Sequence, residues 1–184
     1  MKNLLFRLAA LLLAAFTLCS PALAHTLFDQ LQSNGNIWFD GTHQIWGGNR
    51  IAVGPDAVNV TQVTLNLVTG NGSTALLMRV CEANTANTAP TANCQPFTMD
   101  NPGSGGGHQN FTGTFSAAAN TNLWVVFGMP SGSGSLSYTV GYNDVTPFPG
   151  VSSSDGGATW TRNVPGPSMP VSYTHLTLPT IYSV

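Results

Sequence analysis

The chain has 184 residues, 42% of them hydrophobic and only 7% Asp, Glu, Lys or Arg, against about 25% charged residues in an ordinary soluble protein. It is too apolar for a disordered chain and, with 20 Gly and 12 Pro, too poor in helix formers for a helical bundle. A formal charge of −2 without a basic patch argues against nucleic acid as a partner.

The first segment has three parts. Lys2 and Arg7 give a positive start, Leu8 to Phe16 is an apolar run, and Ala22-Leu23-Ala24 is a small-residue cleavage site. This is the pattern of a secretory signal peptide, with the cut expected after Ala24. The apolar run falls short of the ~18–20 residues a membrane span needs. Leu18 stands before Cys19, where bacterial lipid attachment resembles a pattern with a small residue.

Removing residues 1–24 leaves three cations (Arg50, Arg79, Arg162) against seven anions, a net charge of −4. Two cysteines remain, Cys81 and Cys94, with twelve residues between them. An oxidising destination makes them a disulfide, worth about 3 kcal/mol by loop-closure entropy. A zinc site would need further Cys or His ligands nearby, and there are none.

Beyond residue 25 the sequence shows short β-branched and aromatic runs separated by Gly, Asn, Pro and Ser. Arg50 to Val53 is a short candidate strand. Val58 to Val68 follows, with a parity switch near Thr61-Gln62 that would swap faces unless a bulge absorbs it. The Asn71-Gly72 turn then predicts a hairpin, with Thr74 to Glu82 as the partner strand and Leu76, Met78 and Val80 on one face. Ala83 to Asn93 has nothing to bury and reads as an exposed loop tied by the disulfide. Asn101 to Gly107 is a second loop. Asn110 to Phe115 puts Phe111 and Phe115 on one face. Leu123 to Met129 is continuously apolar, as in a central strand covered on both sides. Leu136 to Tyr142 alternates cleanly.

Few motifs carry chemistry. There is no G-x-S-x-G, no H-E-x-x-H and no D-x-D-x-D run for calcium. No cofactor is expected. His25, His43, His108 and His175 are scattered, and Asp29 and Asp40 read as surface acids rather than a glycosidase pair. Trp38 and Trp46 flank a Gly-rich stretch and could offer flat faces to sugar rings. Ser153 to Trp160 fits S-x-D-x-G-x-T-W and resembles the Asp-box of sialidases and other secreted β proteins, where the box is structural. Asp155 can accept backbone N–H bonds across the bend, Gly157 can supply positive φ, and Trp160 can bury its ring.

Residues 27 to about 164 resemble the choice-of-anchor modules of bacterial surface proteins, the R type in particular. Carrying the resemblance are Leu27-Phe28-Asp29, Val63-Thr64-Leu65-Asn66-Leu67, Phe111-Thr112-Gly113-Thr114-Phe115, Leu123-Trp124-Val125-Val126-Phe127 and Ser154-Asp155-Gly156-Gly157-Ala158-Thr159-Trp160. It implies an exported β-sandwich, usually followed by a sorting helix, and no enzymatic activity or cofactor is established for that family. Val171 to Val184 departs from that pattern and resembles a peptide made when sequencing-adaptor DNA is translated, so residues 171–184 are expected to be a non-native tail.

The expectation is therefore an all-β, jelly-roll-like antiparallel sandwich of roughly eight or nine strands over residues 25–170, behind a cleaved signal peptide. Its function would be that of a secreted or surface-displayed, non-enzymatic module of the cell envelope or extracellular matrix. Its partners would be extracellular polysaccharide or envelope components, with no membrane span in the mature chain. A carbohydrate-binding module is the alternative, and a fragment of a secreted glycoside hydrolase the second.

Overall fold

Side chains that alternate at a period of two can bury one face of a strand and solvate the other, and this pattern organises the chain into two packed sheets. The computed structural model describes residues 24–29, 35–40, 46–70, 76–101, 106–129, 137–142, 150–163 and 171–177, with side chains for 46–67, 76–101, 106–129 and 150–162. The expected leader (but for Ala24), the 71–73 turn and most of the 101–107 loop lie outside these residues.

Among the described residues there is no helix. Twelve strands form: β1 (Ala24–Asp29), β2 (Gly35–Asp40), β3 (Trp46–Ala52), β4 (Val58–Gly70), β5 (Leu77–Ala83) and β6 (Pro90–Met99), then β7 (Gly107–Ala117), β8 (Asn122–Gly128), β9 (Ser137–Tyr142), β10 (Gly150–Ser153), β11 (Thr161–Asn163) and β12 (Val171–Thr177). All pairings are antiparallel, in the order β1-β12-β4-β7-β6-β5-β8-β3-β10-β11, with β9 joining β4 to β2. β6 belongs to both layers. Its first part pairs with β5 and its end, Thr98 and Met99, pairs with β7.

The core lies between the layers. β4 and β7 contribute Val63, Leu65 and Phe111 from one side, while β5 and β8 contribute Met78, Val80, Val125 and Phe127 from the other. The parity switch in β4 is absorbed where it was expected: the register slips between Val60 and Gln62 against β7, and at the same place against β12. The irregularity keeps Val58 and Val60, as well as Val63, Leu65 and Leu67, buried in one core. On the opposite side of this first sheet, hydroxyls and amides bond to one another. Thr64 donates to Asn110 (2.8 Å), Ser116 to Asn59 (2.7 Å) and Thr112 to Asp100 (2.8 Å).

Three expectations need correction. β4 and β5 are not a hairpin: β4 pairs with β7, β12 and β9, and β5 with β6 and β8. The pairings place β4 in the first sheet and β5 in the facing one, so the two meet across the core. The exposed loop expected over 83–93 is instead a six-residue turn, 84–89, leading into β6. Asn84 organises it, its side-chain oxygen accepting the Thr88 N–H at 2.8 Å and its own N–H donating to Ala89 O at 2.9 Å. The strand count rises to twelve because β6, β10 and β11 draw order from pairing rather than apolar alternation. The segment 171–177 runs as β12 between β1 and β4.

Candidate functional site

β8 is buried from Leu123 to Gly128 because it carries two apolar faces. Leu123, Val125 and Phe127 enter the main core; Trp124 and Val126 point the other way, into a second cluster with Trp46, Cys81 and Val151. A sheet face that apolar must be covered. Part of the cover is the turn at 154–160, which carries the half-buried Trp160 onto the cluster.

The turn is held by its own side chains. The Ser153 hydroxyl donates to Asp155 Oδ1 at 2.7 Å and accepts the Gly157 N–H at 2.9 Å. Asp155 Oδ1 also accepts the Thr159 N–H at 2.9 Å, and Oδ2 accepts the Thr159 hydroxyl. Gly156 and Gly157 sit at φ 74° and 88°, the left-handed region that favours glycine. The Ser153 hydroxyl, then Thr159, hold the Asp155 carboxyl well below the usual carboxylate range. Asp155 is therefore a fixed acceptor, unsuited to act as a general acid.

Trp46 lies at the centre of the cover, 2% exposed. Its ring crosses Gly128, its cross-strand partner, so closely that a Cβ there would fall 2.5 Å from ring atoms. The Arg79 guanidinium carbon sits over the same ring, 4.8 Å from its centroid, a cation–π contact. Trp46 thus has no free face for a sugar, which corrects its assignment as a stacking platform. Trp38 lies in β2 and its side chain is outside the described residues, as are those of Asp29, Asp40 and Asp144.

Beside this cover runs an open groove of about 480 Å³, within the size range of ligand sites. Cys81, Cys94 and Val126 line it together with Arg79, Trp160 and Gly157, and with Pro90 and Pro96 of β6. The disulfide joins directly paired residues of β5 and β6, with S–S 2.04 Å. Trp160 and Arg79 are thus brought to one groove from positions 81 residues apart, and Arg79 stands outside every motif of the sequence. A signal for it existed: Leu76, Met78 and Val80 facing inward put Leu77, Arg79 and Cys81 outward.

A second cleft of about 380 Å³ lies at one end of the sandwich, lined by Glu82, Asn84, Asn87, Asn120 and Asn122 among others. Asn87 and Asn120 there have φ 56° and 57°, and the Asn122 amide donates to Asn87 Oδ1 at 3.1 Å. Among the described residues no group of three or more His, Cys, Asp or Glu could hold a metal ion, and no helix is long and apolar enough to cross a membrane. Comparison with protein-family models, with curated proteins and with solved structures gives no match.

Proposed function

We propose that the chain is an exported, non-enzymatic β-sandwich module that recognises extracellular polysaccharide through the outer face of its second sheet. The observation that carries this reading is the groove beside Trp160. A half-exposed indole stands over a preformed channel and is anchored by a turn whose hydrogen bonds are satisfied internally. Sugar rings present apolar C–H faces that pack on such an aromatic surface, and a rigid platform loses little entropy on binding.

Several features support export and an envelope role. The leader pattern over 1–24 is that of a secretory signal. The Cys81–Cys94 disulfide suits an oxidising compartment. The resemblance of residues 27–164 to choice-of-anchor modules points to the cell envelope or matrix. The hydrolase alternative draws no support from Asp155, whose carboxylate is engaged by Ser153 and Thr159.

A glycan array with the wild-type chain and Trp160→Ala tests the proposal. Binding to at least one polysaccharide, weakened about tenfold in the variant, is the expected result. Undiminished binding by Trp160→Ala would place recognition elsewhere, and turnover of any glycan would contradict the non-enzymatic reading.

A further inference from the structure

The three arginines that follow residue 24 share one face of the molecule. Arg79 is the cross-strand partner of Val126, Val126 of Gly48, Gly48 of Val151 and Val151 of Arg162. Directly opposed residues in an antiparallel ladder project to the same side. Val126 and Val151 belong to the outer cluster, so both terminal arginines of this row lie on the outer face. Arg50 pairs with Trp124 of the same cluster and lies there too.

The row crosses five strands, β5-β8-β3-β10-β11. At about 4.8 Å per strand spacing, Arg79 and Arg162 stand roughly 19 Å apart, with Arg50 between them. Arg79 and Arg162 are exposed. Arg79 is steadied by the Trp46 ring, and Arg50 by a 3.3 Å hydrogen bond to Asn87 O. Asp155, on the turn beside Trp160, keeps its charge and spends its oxygens on Ser153 and Thr159. Asp100 accepts a hydroxyl on the first sheet, and Glu82 pairs with the inward Leu123.

Without residues 1–24 the net charge is −4, and gathering the three remaining Arg on one face sets a positive stripe in a negative field. From this we infer that the ligand of the outer face is an acidic polysaccharide, one whose repeating units carry carboxylates. The inference rests on the proposed glycan recognition and adds the ligand's chemistry. Guanidinium groups suit carboxylates, which they can grip with two parallel N–H bonds. A stripe of this length suits an extended polymer rather than a small anion. Trp160, beside the stripe, supplies the sugar-specific contact that a bare positive patch lacks.

The test uses affinity electrophoresis and calorimetry on the full chain with polygalacturonate, carboxyl-reduced polygalacturonate, dextran and double-stranded DNA. Polygalacturonate is expected to bind and its reduced form to bind at least fivefold more weakly. Arg162→Gln and Arg79→Gln are each expected to weaken binding about two- to fivefold, as for exposed ion pairs, and 500 mM NaCl to weaken it further. Arg79→Lys, which keeps the charge, separates charge from packing on Trp46, and thermal melts confirm folding of each variant. Equal binding of polygalacturonate and its reduced form, insensitive to salt and to Arg162→Gln, would overturn the acidic ligand while leaving glycan recognition intact. Absence of binding to every polysaccharide would overturn both. Binding of DNA at equal strength would overturn it as well, because the face would then read charge and not sugar.

Discussion

Gly48 is the position where a single methyl group tests the packing most severely. A Cβ built there would lie 2.5 Å from Val125 O, 2.6 Å from Val126 Cγ1 and 3.0 Å from Val126 Cα. Ordinary contact is 3.4–4 Å, so the overlap approaches 1 Å. The valine methyl can turn away, but the oxygen and Cα are backbone in the middle of β8, paired on both sides by β3 and β5. Gly48→Ala must therefore push two strands apart, and overpacking of that kind costs about 1–3 kcal/mol. We expect about 2–3 kcal/mol here, a fall in Tm on the order of 5–10 °C for a domain this size. Gly54→Ala is the matched control: nothing lies within 4 Å of its Cβ, and the smaller unfolded-state entropy should stabilise by about 0.4–1 kcal/mol. Urea unfolding followed by tryptophan fluorescence gives both values. A Gly48→Ala variant within about 0.5 kcal/mol of wild type, or equal losses at both sites, would refute the reasoning.

Reduction of the Cys81–Cys94 bond, which closes a loop with sequence separation 13, is expected to lower unfolding free energy by about 3 kcal/mol; melts with and without reductant measure it, and identical curves would count against the crosslink. The Asp155 carboxyl, held by Ser153 and Thr159 below its ordinary value of 3.8, favours the ionised folded state. Its contribution is complete above that value and is lost only as pH falls through the lower folded one. The Thr159 amide resonance is therefore expected to stay unchanged on acidification to pH 4 and to move only in stronger acid, and Ser153→Ala should raise the midpoint. Trp124 Nε1 is buried without a hydrogen-bond partner, so Trp124→Phe removes an unsatisfied donor worth about 1–3 kcal/mol. That gain offsets much of the lost ring volume. It should stay within about 1 kcal/mol of wild type, whereas Trp124→Ala should lose about 3–5 kcal/mol; similar losses in denaturant titrations of the two would contradict this.

Much of the strand pattern was legible because burial writes itself into alternation. The parity break at Thr61-Gln62 announced a bulge, since five apolar residues of β4 could reach one core in no other way. The unbroken run from Leu123 announced a strand covered on both faces. Pairing was harder to read. Asn71-Gly72 shows where the chain can turn, but not whether the next strand returns beside β4 or crosses to the facing sheet. β6 was invisible because Pro, Asn and Thr carry no burial signal before Phe97, and its order comes from the disulfide and from β5. At the site, Trp46 read as a sugar platform because nothing local tells an indole that Gly128 and Arg79 will enclose it. The arginine row emerged only once the registers of β3, β5, β8, β10 and β11 were fixed, because its members come from segments far apart in sequence.

The most direct measurement is an amide and indole chemical-shift titration of the full chain with oligogalacturonate. Perturbations are expected at Arg79, Gly157, Arg162 and the Trp160 indole, with Asn120 and the first sheet's Thr64–Asn110 pair unmoved. Shifts centred on the asparagine-lined cleft or on the first sheet, with the Trp160 indole unchanged, would contradict recognition by the second sheet's outer face.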